Sequence, residues 1–387
     1  MGRLRQLGIA AVVVALSLAL GSCGGGQSGG APRQTGSSGS TATDGGTATS
    51  PTSPTARPKP GHIKVVRTIT TGIDVPWGLA PLPGGKKILV SSRDDHHVYR
   101  VDVRTGDRHD LGAVPGAVSN VAEGGEAGLL GLALSPLYPS DHRVYAYWST
   151  ANDNRIGWFR LRHRHLGRPH VIVTGIPLGV HHDGGRLAFG PDGMLYAGTG
   201  ESGRPELSQN KHSLGGKILR MTPTGRPAPG NPFGTLVYSY GHRNVQGLAF
   251  DPHGRLWASE FGDRTADELN LIKPGRDYGW PATQGKTSDP KYTSPVAQWG
   301  TEEDSPSGIA YAARSIWMAA LAGQRLWRIP LHGAKAGTPQ DFLTGRYGRL
   351  RSVLALNDHT LLVTTSNRDG RATPHPGDDR ILELKVG

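Results

Sequence analysis

Gly247-Leu248-Ala249-Phe250-Asp251-Pro252-His253-Gly254-Arg255-Leu256-Trp257-Ala258 reads as one β-hairpin. A small residue, a branched apolar residue and alanine open the first strand, and a second apolar strand begins at Leu256. Between them Asp251-Pro252-His253-Gly254 carries turn chemistry: Pro fixes the first central turn position and Gly supplies positive φ. Gly190-Pro191-Asp192-Gly193 repeats that chemistry one unit earlier. The opening triplet recurs as Gly78-Leu79-Ala80, Gly131-Leu132-Ala133, Arg186-Leu187-Ala188, Gly308-Ile309-Ala310 and Val353-Leu354-Ala355. Second strands follow from Ile88, Val144, Leu195, Leu256, Ile316 and Leu361, and third apolar runs from Val98, Ile156, Ile218, Leu269, Leu326 and Ile381. The triplets start roughly 45–61 residues apart, the spacing of propeller blades. No long 3.6-residue periodicity interrupts them. The pattern predicts an all-β chain, a six-bladed β-propeller of four-stranded antiparallel blades. Val65-Val66-Arg67-Thr68-Ile69 is expected to add the outer strand of the last blade, closing the ring and removing a free edge.

The N-terminus reads as a targeting device. Arg3 and Arg5 precede an apolar run from Leu7 to Leu20, short for a membrane span. It ends in Leu20-Gly21-Ser22-Cys23, which resembles a bacterial lipoprotein cleavage box around the only cysteine of the chain. Residues 1–22 are expected to be a signal peptide and Cys23 a lipidation site, so that the protein is exported, without disulfides, and anchored at the extracytoplasmic face of the cell membrane. Residues 23–60, rich in Gly, Ser, Thr and Pro, lack the apolar content for a core and are expected to be a disordered tether spanning roughly 30–40 Å. Residues 61–387 then form one domain.

The 387-residue chain holds 43 Lys and Arg against 31 Asp and Glu, a formal charge of +12. The basic residues are spread along the chain, no aromatic-basic motif for bases is present, and export removes nucleic acid as a partner. An anionic small molecule, an anionic cell surface or plain solubility remains.

In a propeller, the loops leading into first strands and the turns leaving second strands share one channel mouth. The loops leading in carry Glu126, His181-His182-Asp183, Arg243-Asn244, Asp304 and Arg349-Leu350-Arg351; the exits carry Arg93, Glu201, Gly262-Asp263 and Asn367-Arg368. A histidine oriented by a carboxylate, as His182 by Glu201, makes a general base near neutral pH. Arg349 and Arg351 suit a polyanion, because guanidinium grips carboxylates through paired bonds. Backbone carbonyls at Gly262 and Asp263 suit a hard cation such as calcium. No Gly-x-Gly-x-x-Gly, phosphate loop or Gly-x-Ser-x-Gly elbow appears, which argues against nucleotide, phosphoryl and serine-hydrolase chemistry.

From Val75-Pro76-Trp77-Gly78-Leu79 to the C-terminus the chain resembles the soluble quinoprotein glucose/sorbosone dehydrogenases, six-bladed propellers that use pyrroloquinoline quinone (PQQ) and calcium. The resemblance rests on Gly128-Leu129-Leu130-Gly131-Leu132-Ala133, His182 through Gly200, Tyr240-Gly241-His242-Arg243-Asn244 with Gln246-Gly247-Leu248, and Asp267-Glu268-Leu269-Asn270 through Tyr278-Gly279-Trp280-Pro281. It implies that His182 is the catalytic base and Glu201, where relatives more often carry Asp, its orienting acid. It implies that Arg243 and Asn244 contact the quinone, and that Arg349 and Arg351 grip its carboxylates. Calcium would take the carbonyls of Gly262 and Asp263. Glu126, which is Gln in the glucose enzymes, and His181 fall on the sugar side, while Glu268 and Tyr278 match donors of backbone carbonyls to a second, structural calcium. The chain departs from the family at Ala322, where the glucose enzymes place a cofactor-binding lysine. The implied activity is oxidation of an aldose at C1 to the lactone, with an external electron acceptor. A calcium-dependent propeller lactonase or hydrolase, or a non-enzymatic binding propeller, are the other readings the same mouth allows.

Overall fold

The computed structural model describes residues 61–387; the signal peptide expected over 1–22, Cys23 and the tether over 23–60 lie outside the described residues. Six antiparallel sheets surround a channel, their first strands being Pro76–Pro81, Leu129–Leu134, Leu187–Phe189, Val245–Phe250, Pro306–Ala312 and Leu350–Asn357. We number the blades in that order. Four blades have four strands; the second and fifth each carry one extra short strand. Ile63–Thr71 pairs with Arg380–Val386 as the outer strand of the sixth blade, so the ring closes as expected. The two anticipated turns form: Gly193 N–H donates to Gly190 O at 3.0 Å and Gly254 N–H to Asp251 O at 2.9 Å, with φ of 74° and 75°.

Each blade is covered on both faces, which is why second strands such as Tyr145-Ala146-Tyr147-Trp148 are apolar throughout rather than alternating. An apolar layer fills the space between each pair of neighbouring blades, for example Leu89, Leu111, Leu132 and Phe159 between the first and second. The triplet glycines have a separate cause. A Cβ on Gly78 would meet the backbone of Leu130 and Leu132, and one on Gly247 would meet Ser307 and Ile309. First strands of adjacent blades therefore approach more closely than any side chain permits.

The one triplet opened by arginine plugs the channel. Arg186 donates from Nε to Gln246 O at 2.6 Å and from Nη2 to Ser352 Oγ at 3.1 Å, and its guanidinium lies 4.1 Å from the Trp77 ring centroid. Burial, with Arg351 adding repulsion, pushes Arg186 down to about 9.

Strand direction divides the molecule into two ends. In the second blade Leu129 pairs with Trp148, and Ser149 with Asn154, at the end where first strands begin. Leu134 pairs with Val144, and Arg143 with Arg160, at the other. The first of these ends is the mouth.

Candidate active site

The mouth is built from the loops leading into the third, fourth and sixth blades. His182 sits there with φ 64°, a left-handed conformation uncommon for a non-glycine residue and one that functional sites retain. The neighbouring chain is shaped around it: a Cβ on Gly200 would collide with the His182 carbonyl, so the exit strand can pass only as glycine. His182 Nδ1 lies 2.5 Å from Glu201 Oε1. This fixes the proton on Nδ1 and leaves Nε2 as the basic nitrogen. The extra methylene of Glu relative to Asp therefore does not break the orienting bond. Glu201 is 1% exposed and its Oε2 finds no partner among the described residues. The His182 amide donates to Glu126 Oε2 at 3.1 Å.

Arg243 and Asn244 continue from the same point. The Glu201 amide donates to Arg243 O at 2.9 Å, and the Arg243 amide to Glu260 Oε1 at 2.6 Å. The Arg243 guanidinium reaches Asp263 Oδ1 at 3.2 Å and sits 5.3 Å from the Trp280 ring centroid, leaving Nε buried without a partner. Asn244 accepts from the Gly184 amide through Oδ1 at 3.0 Å, and its buried Nδ2 is likewise unpartnered. A buried donor without a partner is costly, so two at one mouth indicate where a ligand's acceptors belong.

Arg349 and Arg351 flank Leu350, which is fully buried in the apolar layer between the fifth and sixth blades. Strand alternation turns both arginines the other way. They converge on one carboxylate oxygen, Asp369 Oδ2, at 2.9 Å and 3.1 Å. Arg351 also donates to Ser366 Oγ and Gln246 Oε1. Burial pushes Arg351 down to about 10, and although burial raises Asp369, the two guanidinium groups hold its carboxyl below the usual range. One carboxylate serving two arginines leaves a net positive cradle. It lines a cavity of about 250 Å³ together with Glu126, Gln246, Phe261 and Ala322.

A third guanidinium, Arg371, lines that cavity too, 3.4 Å from Glu126 Oε1 and 3.3 Å from His181 Nδ1. Burial raises the Glu126 carboxyl, but Arg371 and His182 hold it below its ordinary range. Sequence reading stopped at Arg368 in this exit loop and so missed Asp369 and Arg371. Gln246 was present in a quoted motif without a role.

The carbonyls of Gly262 and Asp263 receive no hydrogen bond among the described residues and remain available to a cation. Asp267 shapes their loop, accepting from the Gly262 amide at 2.8 Å and the Ser305 amide at 2.6 Å. Glu268 and Tyr278 line a small cavity that adjoins this loop, with Gly262, Arg243, Glu260 and Trp280. There the Glu268 carboxyl is pushed up to about 8 by burial and Glu260, and the Tyr278 ring stacks on His242 at 4.6 Å. Of the remaining sequence candidates, Arg93 is buried against Asp94, Arg368 is half-exposed beside Asp74, and Asp304 is fully buried beneath the mouth.

A propeller whose mouth joins an oriented histidine to a guanidinium cradle is the frame of a known family. The chain belongs to the glucose/sorbosone dehydrogenases, whose family model matches residues 73–374. It is 59% identical to the PQQ-bound aldose sugar dehydrogenase of Streptomyces coelicolor, with a TM-score of 0.83 over 86% of this chain and 100% of that one. Aldose sugar dehydrogenase YliI of Escherichia coli is 28% identical over 355 residues, 79% of this chain and 91% of the relative. Quinoprotein glucose dehydrogenase B of Acinetobacter calcoaceticus is 29% identical over 286 residues, 64% of this chain and 59% of the relative.

Proposed function

We propose that this enzyme oxidises an aldose at its anomeric carbon to the lactone, with PQQ as the hydride acceptor and calcium as its companion ion. The observation that carries this reading is the His182–Glu201 bond opening on the same mouth as the Arg349–Asp369–Arg351 cradle. His182 Nε2 takes the C1 hydroxyl proton while Glu201, held at Nδ1, fixes the tautomer and stabilises the charged ring. The hydroxyl loses that proton and C1 loses a hydride, which converts the hemiacetal to a lactone. PQQ, when bound, supplies the two-electron acceptor. Its carboxylates are matched by Arg349 and Arg351, and its ring polar atoms by the unpartnered Arg243 Nε and Asn244 Nδ2. Calcium is matched by the Gly262 and Asp263 carbonyls. Glu126, Arg371 and His181 face the sugar side of the cavity. With alanine at position 322, the cations lining this cavity are Arg349, Arg351 and Arg371.

The test is reconstitution. Purified chain should gain dye-reducing activity with glucose or another aldose on adding PQQ and calcium, and a chelator should abolish it while the β-sheet circular dichroism persists. Lactone hydrolysis unaffected by the quinone would replace this reading with a hydrolase. We further propose that the enzyme is lipid-anchored through Cys23 on the extracytoplasmic face and passes electrons to an external acceptor. Leu20-Gly21-Ser22-Cys23 supports this. Palmitate labelling and membrane fractionation that are unchanged in Cys23→Ala would refute it.

A further inference from the structure

The end of the propeller opposite the mouth is unlike the rest of the surface. Between Asp153 and Asp183 the chain holds no acidic residue, yet Arg160-Leu161-Arg162-His163-Arg164-His165-Leu166-Gly167-Arg168 falls inside it. These residues end the third strand of the second blade and turn back through the short strand His165–Leu166. Arg160, Arg162, Arg164 and Arg168 are all exposed, and none forms an ion pair or donates a side-chain hydrogen bond among the described residues. The sequence reading of scattered basic charge is thus corrected here: four arginines concentrate on one hairpin with no counter-charge.

Two further features share that end. Leu137 is 67% exposed, in the loop whose Tyr138 and His142 line a cavity of about 440 Å³ together with Arg162 and His163. An exposed leucine on the same end as exposed arginines is a feature of membrane-interfacial surfaces. The domain's N-terminus also emerges at this end. Ile63 pairs with Val386, and Lys385 with Thr360, the end of the sixth blade far from Arg349 and Arg351. The described residues therefore begin at the basic end, with exposed Lys64, Lys86 and Arg104 near their first strand.

We infer that this basic end docks on an anionic phospholipid bilayer, with Arg162, Arg164, Arg168 and Leu137 at the contact and the mouth turned away from the membrane. Charge selects an anionic surface, the protruding leucine favours a bilayer over a folded acidic protein, and the described chain begins on the same side. An acidic electron acceptor would need to meet the mouth, at the wrong end for this patch.

The experiment uses the expected mature chain, residues 23–387, carrying Cys23→Ala, so that neither the apolar run Leu7–Leu20 nor an acyl group contributes, and co-sedimentation with vesicles of equal phosphatidylglycerol and phosphatidylcholine at 0.1 M salt. Binding should be far stronger than to phosphatidylcholine alone and should fall as salt rises. Arg162→Gln/Arg164→Gln/Arg168→Gln in the same background should bind about 100-fold more weakly, roughly fivefold per charge. Its PQQ-dependent dye reduction in solution should be unchanged, which shows that it folds. Leu137→Ala should cost a smaller, salt-independent fraction. Equal binding to neutral vesicles, equal binding by the triple variant, or charge-dependent binding only to a soluble acidic protein would each overturn the proposal.

Discussion

Two aspartates at the far end of the propeller, Asp192 and Asp251, behave oppositely to two at the mouth, Asp304 and Asp267. At the far end Asp192 accepts from the Met194 amide, from Tyr196 Oη and from Arg220, and Asp251 accepts from two turn amides, Arg255 and Trp257. Burial raises both carboxyls, but these partners hold them below the usual range. At the mouth Asp304 is fully buried with neither oxygen partnered, and burial, then Asp267, drives its carboxyl well above the usual range. Asp267 beside it is pushed up to about 7 by burial. Arg243 Nε, Asn244 Nδ2 and Glu201 Oε2 share the same want of partners. The far-end aspartates terminate hairpins and are complete as they stand. The polar groups of the mouth are incomplete without something else, and that distinction separates scaffold from site.

The sharpest way to break that comparison is His182→Ala. Loss of general-base assistance should lower turnover by ~10²–10⁴-fold while PQQ binding persists. His181→Ala should change the sugar KM instead; if it is the more damaging for turnover, the base is misassigned. Next in size is Arg351→Ala. It removes charge-assisted bonds worth about 1.5–3 kcal/mol, so PQQ affinity measured by spectral titration should fall by roughly 10–100-fold. Unchanged PQQ affinity with a raised sugar KM would move the cradle to the substrate.

The blade count, the outer strand from Ile63 and the alternation around Leu350 were legible because each follows from local periodicity and turn chemistry. His182 with Glu201 was legible because loops that converge in a propeller occupy equivalent positions in every repeat. Asp369 was not, because its role depends on two arginines about 20 residues away pointing at one oxygen. The channel plug was also hidden: Arg186 stands in a triplet where the other blades mostly carry glycine, and only the packed ring shows that its guanidinium reaches Gln246, Ser352 and the Trp77 ring on three other blades. The unpartnered state of Asp304 is a fact about what is missing around it, and sequence carries no sign of that. The basic hairpin was in plain view as a charge run, but only strand direction shows that it faces away from the mouth.

Smaller effects probe the aspartates themselves. Asp304 is near 3.9 when unfolded and well above that when folded, so the folded state binds the extra proton. Its contribution is therefore fully present below about pH 4 and is lost as pH rises through the folded value. Asp304→Asn keeps the shape and removes the titration. Its melting temperature at pH 8 should exceed that of the parent by about 2–4 °C, on the order of 1 kcal/mol, and the gap should close towards pH 4. A gap independent of pH would mean that Asp304 does not titrate in this window.

The smallest expected effect is at Asp192, and it tests the other half of the comparison. Its ion pair with Arg220 is partly exposed, with the carboxylate 34% accessible, and such pairs contribute about 0–1 kcal/mol. Tyr196 Oη keeps its bond from Arg220 Nε when the carboxylate is removed. Asp192→Ala should therefore lower the melting temperature by only about 1–3 °C. PQQ affinity, sugar KM and turnover should all stay at parental values, because the hairpin it closes lies a full strand length from His182. A change in turnover would mean that the two ends are coupled through the third blade, whose second strand runs from the Asp192 turn to Glu201, and the division into scaffold and site would then fail for that blade.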